Sequence, residues 1–397
     1  DWMMEIFHYH EREHFKDLAV KKLCSCINSI NKPAFNPILA GMDVLAIDEA
    51  NQTLKAITAS GVMKYPLTVM NRLKQVAARS AQVLLMDADA NDDLVEWAEQ
   101  VRDMRGDDLP IHVIELATDC SHLTILHGEI DAVYADVLDK VGQGFRVMVA
   151  DDSADEGRKL ANDLTTLYPD KKGLFISQDT KTHDGAVQKF NDSPKSEITK
   201  YDWVIYSPAI SSGVSIEIPH IQLHYGLFRG VISPSDAVQM IRRDRTATQF
   251  ILGLGSQGGW KLDDEQAFWR ATIRGMADQA NGMDIHYNQE NGTIEVSSGD
   301  LLFDRLRIRQ VCAENAARND FGNVLLLQLM ADKYQVRPLA LENADVMAAT
   351  GKQMKLDAGK RLAEQDAELI LKQETPSDDL RATLIKESHI SLEQKAA

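Results

Sequence analysis

Asp48 and Glu49 stand side by side at the end of a short apolar run, Val44 to Ile47. Gly41-Met-Asp43 precedes the run and polar residues follow it, which predicts a buried parallel strand. The carboxyl ends of such strands line the ligand crevice of an open α/β sheet. One carboxylate there can hold a hydrated Mg2+ while its neighbour orients an attacking water. Apolar residues followed by Asp-Glu also close ordinary strands, so the pair takes its meaning from what accompanies it.

Four other stretches could do chemistry. Gln82-Val-Leu-Leu-Met-Asp-Ala-Asp-Ala90 repeats the design of a strand ending in acids. Trp203 to Ile216 is a strand running into a small-residue loop, where Ser211, Ser212 and Gly213 could let backbone N–H groups approach a phosphate; a plain Ser/Gly turn is the simpler alternative. Gln239-Met-Ile-Arg-Arg-Asp-Arg245 follows the helix start Ser233-Pro234 and carries Arg242, Arg243 and Arg245. Guanidinium forks suit phosphate oxygens, although a solvated basic helix end paired to Asp236 and Asp244 would look the same. His10-Glu-Arg-Glu-His14 matches a zinc-protease pattern by letter, but no third ligand follows at suitable spacing, and a solvated helix face over 9–23 is preferred.

The elements that must position these residues alternate. Leu23–Ser29 reads as a short strand. A helix is expected over Leu67–Ser80, a strand from Gln82, a helix capped by Asn91 or Asp92, and a strand over Ile111–Leu116. The pattern loosens around Thr118–His127. Helices at Glu129–Lys140, Ser153–Leu167, Asp184–Asn191 and from Pro234 then alternate with strands at Arg146–Ala150, Gly173–Ser177, Asp202–Tyr206, Ile221–Leu227 and Gln249–Leu252. This implies doubly wound parallel sheets. Gly255-Ser-Gln-Gly-Gly259 reads as a flexible joint. Beyond it come a helix over Asp263–Ala280, a hairpin over Asp284–Val296 turning at Asn291-Gly292, and helices over 299–334 and 343–372.

With 397 residues, two or three domains are expected. No run of about 18 apolar residues marks a membrane span, and no membrane partner is expected. The start, Asp1-Trp-Met-Met-Glu, has no initiator Met and no signal-peptide pattern, which predicts a fragment. Cys24, Cys26, Cys120 and Cys312 suggest reduced, buried thiols in a cytoplasmic protein. A net charge of −17 argues against broad adhesion to nucleic acid but leaves room for a local groove.

The order of these motifs resembles that of superfamily 2 helicases, with Asp48-Glu49 as the Walker B pair. The closest likeness is to the helicase part of plasmid and phage replication proteins, a group related to origin-binding helicases. It rests also on Cys26-Ile-Asn-Ser29 before Ile47-Asp-Glu-Ala50, and on Ser207-Pro-Ala-Ile-Ser-Ser-Gly-Val-Ser-Ile216, and covers about residues 20–255. The resemblance implies two RecA-like P-loop-type parallel-sheet lobes, the first incomplete, followed by a mainly α-helical C-terminal region. The divisions are 1–125 with the Walker B pair, 126–255 with the arginine motif, and 256–397. It implies ATP and Mg2+ as cofactors, with ATP hydrolysed between lobes that step along one strand. Asp48 would bind Mg2+ through water and Glu49 would activate the hydrolytic water. Arg243 and Arg245 would contact the γ-phosphate, Gln239 and Gly213 would join the nucleotide site, and Asn28, Ser207, Ser211 and Ser212 would meet nucleic acid. The expected partners are single-stranded or forked DNA, and replisome proteins through the C-terminal helices.

The departures are specific. Arg242 replaces the usual Gly, the last Arg comes one position early at Arg245, Ser215 stands where Asp is common, and Asp87-Ala-Asp-Ala90 replaces Ser-Ala-Thr. No Gly-x-x-x-x-Gly-Lys-Ser/Thr occurs, and only 47 residues precede Asp48. The phosphate loop is therefore expected upstream, and this chain alone is expected not to hydrolyse ATP. Two rival readings are a Toprim-type Mg-dependent nucleotidyl transferase or nuclease built on Glu49, Asp87 and Asp89, and a non-catalytic replication adaptor.

Overall fold

The computed structural model describes residues 7–8, 22–59, 63, 65–116, 119–210, 214–256, 258–270, 284–288, 293–297 and 300–372. The helix expected over 9–23, with His10 and His14, lies outside them. In chain order come β1 (Phe7–His8), β2 (Leu23–Cys24), α1 (Asn36–Ala40), β3 (Val44–Asp48), α2 (Ala50–Thr58), α3 (Pro66–Arg79), β4 (Gln82–Met86) and α4 (Asp92–Arg105). Then follow β5 (Thr124–Glu129), α5 (Ile130–Gly142), β6 (Val147–Asp151), α6 (Ala154–Leu167), β7 (Gly173–Ile176), α7 (Gln178–His183), α8 (Gly185–Asp192), α9 (Pro194–Glu197) and β8 (Trp203–Tyr206). The remainder is β9 (Leu223–Phe228), α10 (Pro234–Ile241), β10 (Gln249–Leu254), β11 (Asp284–Asn288), β12 (Thr293–Ser297), α11 (Leu301–Asn319), α12 (Phe321–Ala331), β13 (Gln335–Pro338) and α13 (Ala344–Lys372).

The chain divides into two compact units. One comprises Asp1–Glu115 with Leu262–Ala316, the other Leu116–Lys261 with Ala317–Ala397. The C-terminal region expected as one block over 256–397 is thus shared between them. The reason is packing: Leu302, Phe303 and Leu306 of α11 are buried in the first core, whereas Phe321, Leu325 and Leu329 of α12 are buried in the second.

In the first unit β3 and β4 pair in parallel, with Asp48 opposite Met86. Leu45, Ile47, Val83 and Leu85 pack onto a core built from Leu54, Ile57, Met70, Leu73 and Trp97. Asn91 caps α4 as expected, its Oδ1 accepting the Asp93 N–H at 3.1 Å. The strand expected to be buried is not: its alternate residues face outward, with Val44 48% and Met86 45% exposed. A parallel strand is buried on both faces only when layers cover both. Ile111–Leu116, expected as a strand, pairs with no strand among the described residues, and Ile114 is 85% exposed. An apolar run becomes a strand only beside a neighbour that completes its ladder. Leu23–Ser29 is likewise strand only at β2, followed by a 3-10 turn over Ile27–Ser29. Cys24 and Cys26 are exposed, against expectation; Cys120 and Cys312 are buried, and all four are free.

The second unit holds a seven-stranded sheet in the order β13-β5-β10-β9-β6-β8-β7, with every pair parallel. β6 and β8 are buried throughout because helices cover both faces. One face packs Met148, Val204, Tyr206 and Phe250 against Phe190 of α8, Met240 of α10 and Leu325 of α12. The other packs Val147, Val149, Ile205 and Leu227 against α5 and α6 through Val133, Tyr134, Leu160 and Leu164. Burying one such side chain contributes about 1.5–3 kcal/mol. The stretch expected to loosen contains β5. α13 lies on α5 and α6 through the ion pairs Lys355–Asp131, Arg361–Asp163 and Arg158–Asp366. Gly351 permits this approach, since a Cβ there would sit 2.0 Å from the Asp131 carbonyl oxygen. β11 and β12 pair as an antiparallel hairpin, whose turn residues Asn291 and Gly292 lie outside the described residues. No helix among the described residues is long and apolar enough to cross a membrane.

Candidate functional site

β3 delivers Asp48 to its carboxyl end, where the side chain is exposed and Oδ1 accepts the Glu49 N–H at 3.2 Å. Its Oδ2 has no protein partner among the described residues, so this oxygen is available to a hydrated cation. Glu49 is left-handed, at φ 52° and ψ 52°, and caps α2, with its carbonyl accepting the Thr53 N–H at 2.8 Å. A side chain in this region costs about 1–3 kcal/mol and is tolerated where the surroundings impose it. The strain turns Glu49 sharply out of the strand, so the two carboxylates need not continue the alternation of a straight chain.

The neighbouring strand end braces this turn. Asp87 Oδ2 accepts the Asn51 N–H at 2.8 Å, and its Oδ1 accepts the Asp89 N–H at 2.7 Å. Asn51 Nδ2 in turn donates to the Asp89 carbonyl at 3.2 Å. Asp87 is thereby spent on backbone N–H groups. Among the described residues no group of three or more His, Cys, Asp or Glu side chains is placed to hold a metal ion. The Toprim reading needs such a group from Glu49, Asp87 and Asp89, and gains no support. Asn28 lies in the same unit, exposed on the 3-10 turn.

In the second unit, Ser233 caps α10, its Oγ accepting the Asp236 N–H at 3.2 Å, with Pro234 in the first turn. Gln239 is half-buried on this helix. The chain after the helix is tied to the loop after β8. The Ile216 N–H donates to the Arg243 carbonyl at 2.8 Å, and the Arg245 N–H donates to the Ile216 carbonyl at 2.9 Å. Tyr206 OH donates to the Met240 carbonyl at 2.6 Å from the end of β8. Ile216 after β8 and the segment 243–245 after α10 are therefore bridged in parallel.

The three arginines separate by environment. Arg242 turns inward, its Nη1 donating to Tyr334 OH at 3.2 Å and approaching Cys120 Sγ at 3.8 Å. Arg243 is half-buried and Arg245 exposed. Between them Asp244 is buried, with Oδ2 2.9 Å from His224 Nε2 and Oδ1 accepting the Thr246 N–H and hydroxyl. Burial would raise the Asp244 carboxyl, but the His224 and Thr246 hydrogen bonds outweigh it and hold it below its ordinary value.

Ser207 is only 2% exposed and its Oγ accepts the Ala209 N–H at 3.4 Å, so it holds the loop's first turn and does not face a ligand. Lys181 Nζ, which sequence reasoning missed, donates to the Ala209 carbonyl at 3.1 Å and tethers the same loop. Ser211, Ser212 and Gly213 lie outside the described residues.

A second missed group sits at the carboxyl ends of β6 and β9. These neighbours send their following helices in opposite directions across the sheet, which makes the gap between them a topological switch point. Arg229 occupies it, with Nη1 2.7 Å from Asp151 Oδ1 and 3.3 Å from Asp152 Oδ1. Asp152 Oδ2 also accepts the N–H groups of Arg229 and Val231 at 2.7 and 3.0 Å, fixing the loop that leads to α10. Complete burial pushes Asp151 up to about 7 against the pull of Arg229. The only sequence signal for the group was the polar turn Asp151-Asp-Ser153.

No family model matches the chain, and no curated protein matches it. Among solved structures, the chain is similar to S. cerevisiae Dbp5 bound to RNA and ADP BeF3. The TM-score is 0.49 at 11% identity, covering 88% of this chain and 73% of that one. It is also similar to the DUF1998 helicase MrfA bound to DNA and AMPPNP, with a TM-score of 0.42, 12% identity and 64% of this chain covered. Mss116p bound to ssRNA and AMP-PNP gives 0.44 and 12% over 70% of this chain. This chain spans 37% of the MrfA chain and 55% of the Mss116p chain. The α/β class itself stands on the strand pairing described above.

Proposed function

We propose that the full-length protein is an ATP-dependent helicase or translocase of superfamily 2 type, acting on single-stranded or forked DNA in plasmid or phage replication. The observation that carries the reading is the pair of backbone hydrogen bonds joining Ile216 to Arg243 and Arg245. They make one assembly of the two stretches that such a motor requires together, the loop after β8 and the arginine segment after α10. The strained Asp48–Glu49 turn at a parallel strand end supports it independently.

ATP with Mg2+ supplies the phosphoryl group and the charge that polarises it. Asp48 would hold a hydrated Mg2+ through its exposed carboxylate, and Glu49 would take a proton from the attacking water. Gln239 orients the γ-phosphate, and Arg243, with Arg245 beside it, offsets the charge that builds on the phosphoryl oxygens. Arg242 is excluded from that role by its bonds to Tyr334 and Cys120. We further propose that this chain alone turns over no ATP, because its 397 residues carry no Gly-x-x-x-x-Gly-Lys-Ser/Thr loop to grip the phosphates. The helices α11 to α13 offer surfaces to other replication proteins.

The test is turnover in the full-length protein. Glu49→Gln is expected to lower ATP turnover by about 100-fold or more while nucleotide binding persists. Arg243→Ala is expected to lower it similarly, with slightly weaker binding. Wild-type turnover in either variant contradicts the assignment.

A further inference from the structure

The loop after β10 carries chemistry that the proposed reaction leaves unused. Ser256, Trp260 and Lys261, with Gly230 after β9 and Arg318 and Asn319 at the end of α11, line a notch of about 270 Å3. The notch lies just beyond the carboxyl ends of β9 and β10, the edge at which parallel sheets take ligands.

The sequence reads as a flexible joint over Gly255–Gly259; beyond it the chain is tied to the end of α11. Asn319 Oδ1 accepts the Lys261 N–H at 2.8 Å, and its Nδ2 donates to the Lys261 carbonyl at 2.8 Å. That pair holds the peptide that follows Trp260. Gly258 and Gly259, at φ 71° and 83°, make the left-handed turn that delivers it. A side chain at either glycine would be strained whatever space surrounds it. The indole so displayed is 76% exposed. Among the described residues it has no ring or hydrogen-bond partner, Lys261 Nζ has no ion pair, and the Ser256 hydroxyl makes no hydrogen bond.

An indole that could bury 150–250 Å2 is thus held rigidly in water beside an unspent ammonium. A flat π-face flanked by cations is the means by which single-strand binding sites hold a base and its phosphate. We propose that Trp260 stacks one base of a single-stranded nucleic acid, with the adjoining phosphate against Lys261 and Arg318. The proposal rests on the reading that this protein handles nucleic acid. The overall charge of −17 makes stacking the larger share of the affinity. The salt dependence of binding is accordingly shallow.

Fluorescein-labelled dT12, and the same oligomer with every base removed, are titrated against the 397-residue chain and its Trp260→Ala and Trp260→Phe variants. Trp260→Ala is expected to weaken dT12 binding by about 5- to 150-fold, the worth of one stacked base. Trp260→Phe, which retains a ring, stays within about threefold of wild type. The baseless oligomer binds wild type and Trp260→Ala alike. If wild type binds dT12 and Trp260→Ala binds it equally well, this site is wrong while the nucleic-acid reading survives. If wild type binds no oligomer, both fail. Thymidine monophosphate at micromolar concentration protecting Trp260 from iodide quenching would make a free nucleotide the occupant and overturn the strand.

Discussion

Glu49 gives a stability test in which left-handed backbone strain adds to the ordinary preferences of a helix cap. At an ordinary helix start glycine already caps better than alanine, by up to about 1.5 kcal/mol. Glu49 has φ 52° and ψ 52°. An L-residue there costs about 1–2 kcal/mol, a cost alanine keeps and glycine escapes. Glycine gives back about 0.5–1 kcal/mol through the entropy of its unfolded chain. Glu49→Gly is therefore expected to be more stable than Glu49→Ala by about 1 kcal/mol or more, worth about 2–4 °C or more in Tm for a unit of this size. Thermal unfolding followed by near-ultraviolet circular dichroism reads this directly, because Trp97 is buried in the same core. Both variants are expected to lose turnover in the full-length protein, so the position trades stability for placement of its carboxylate. Glu49→Ala unfolding at or above the temperature of Glu49→Gly would refute the argument that strain is stored there.

Three further outcomes are expected. Lys74 is 3% exposed and lies 2.5 Å from the half-buried Asp300, which also caps the start of α11; Lys74→Met, which removes the ammonium beside that carboxylate, should cost about 1–3 kcal/mol in denaturant unfolding, and a loss under about 0.5 kcal/mol contradicts the pairing. Asp151 keeps its proton to about pH 7 when folded but only to about pH 4 when unfolded, so its stabilising contribution is complete below pH 4 and is lost as pH rises through 7. Asp151→Asn should flatten that decline by up to about 3 kcal/mol between pH 5 and pH 8, seen by comparing unfolding midpoints at the two values; a parallel decline in variant and wild type argues against it. Arg242→Ala should cost about 1 kcal/mol for the lost Tyr334 hydrogen bond and leave ATP turnover within about threefold of wild type, whereas a loss as deep as that of Arg243→Ala would put Arg242 in the reaction.

What was legible in the chain followed the range of the interaction. The strands at Arg146–Ala150 and Asp202–Tyr206 announce themselves because burial on both faces requires unbroken apolar runs. Helix caps at Asn91 and Ser153 are equally local. β5 escaped notice because His127 and Gly128 interrupt its apolar residues, and β13 because Gln335-Val-Arg-Pro338 is a short polar edge strand. Ile111–Leu116 has the composition of a strand but pairs with no neighbour among the described residues. In the candidate site, the Asp48-Glu49 pair and the arginine cluster are visible as residue types. The sorting of Arg242 from Arg243 is not, since it depends on Tyr334 and Cys120, each more than 90 positions away. Arg229 carried no local signal at all; its meaning comes from a strand order that brings residue 151 to residue 229.

The most direct test is a double-variant cycle on nucleic-acid-stimulated ATP turnover in the full-length protein, using Glu49→Gln, Arg243→Ala and the pair. Groups that serve one phosphoryl transfer are strongly non-additive. The account predicts that the double variant is no slower than the slower single variant, within about threefold. Two losses that multiply, or a single variant that turns over ATP at the wild-type rate, would contradict it.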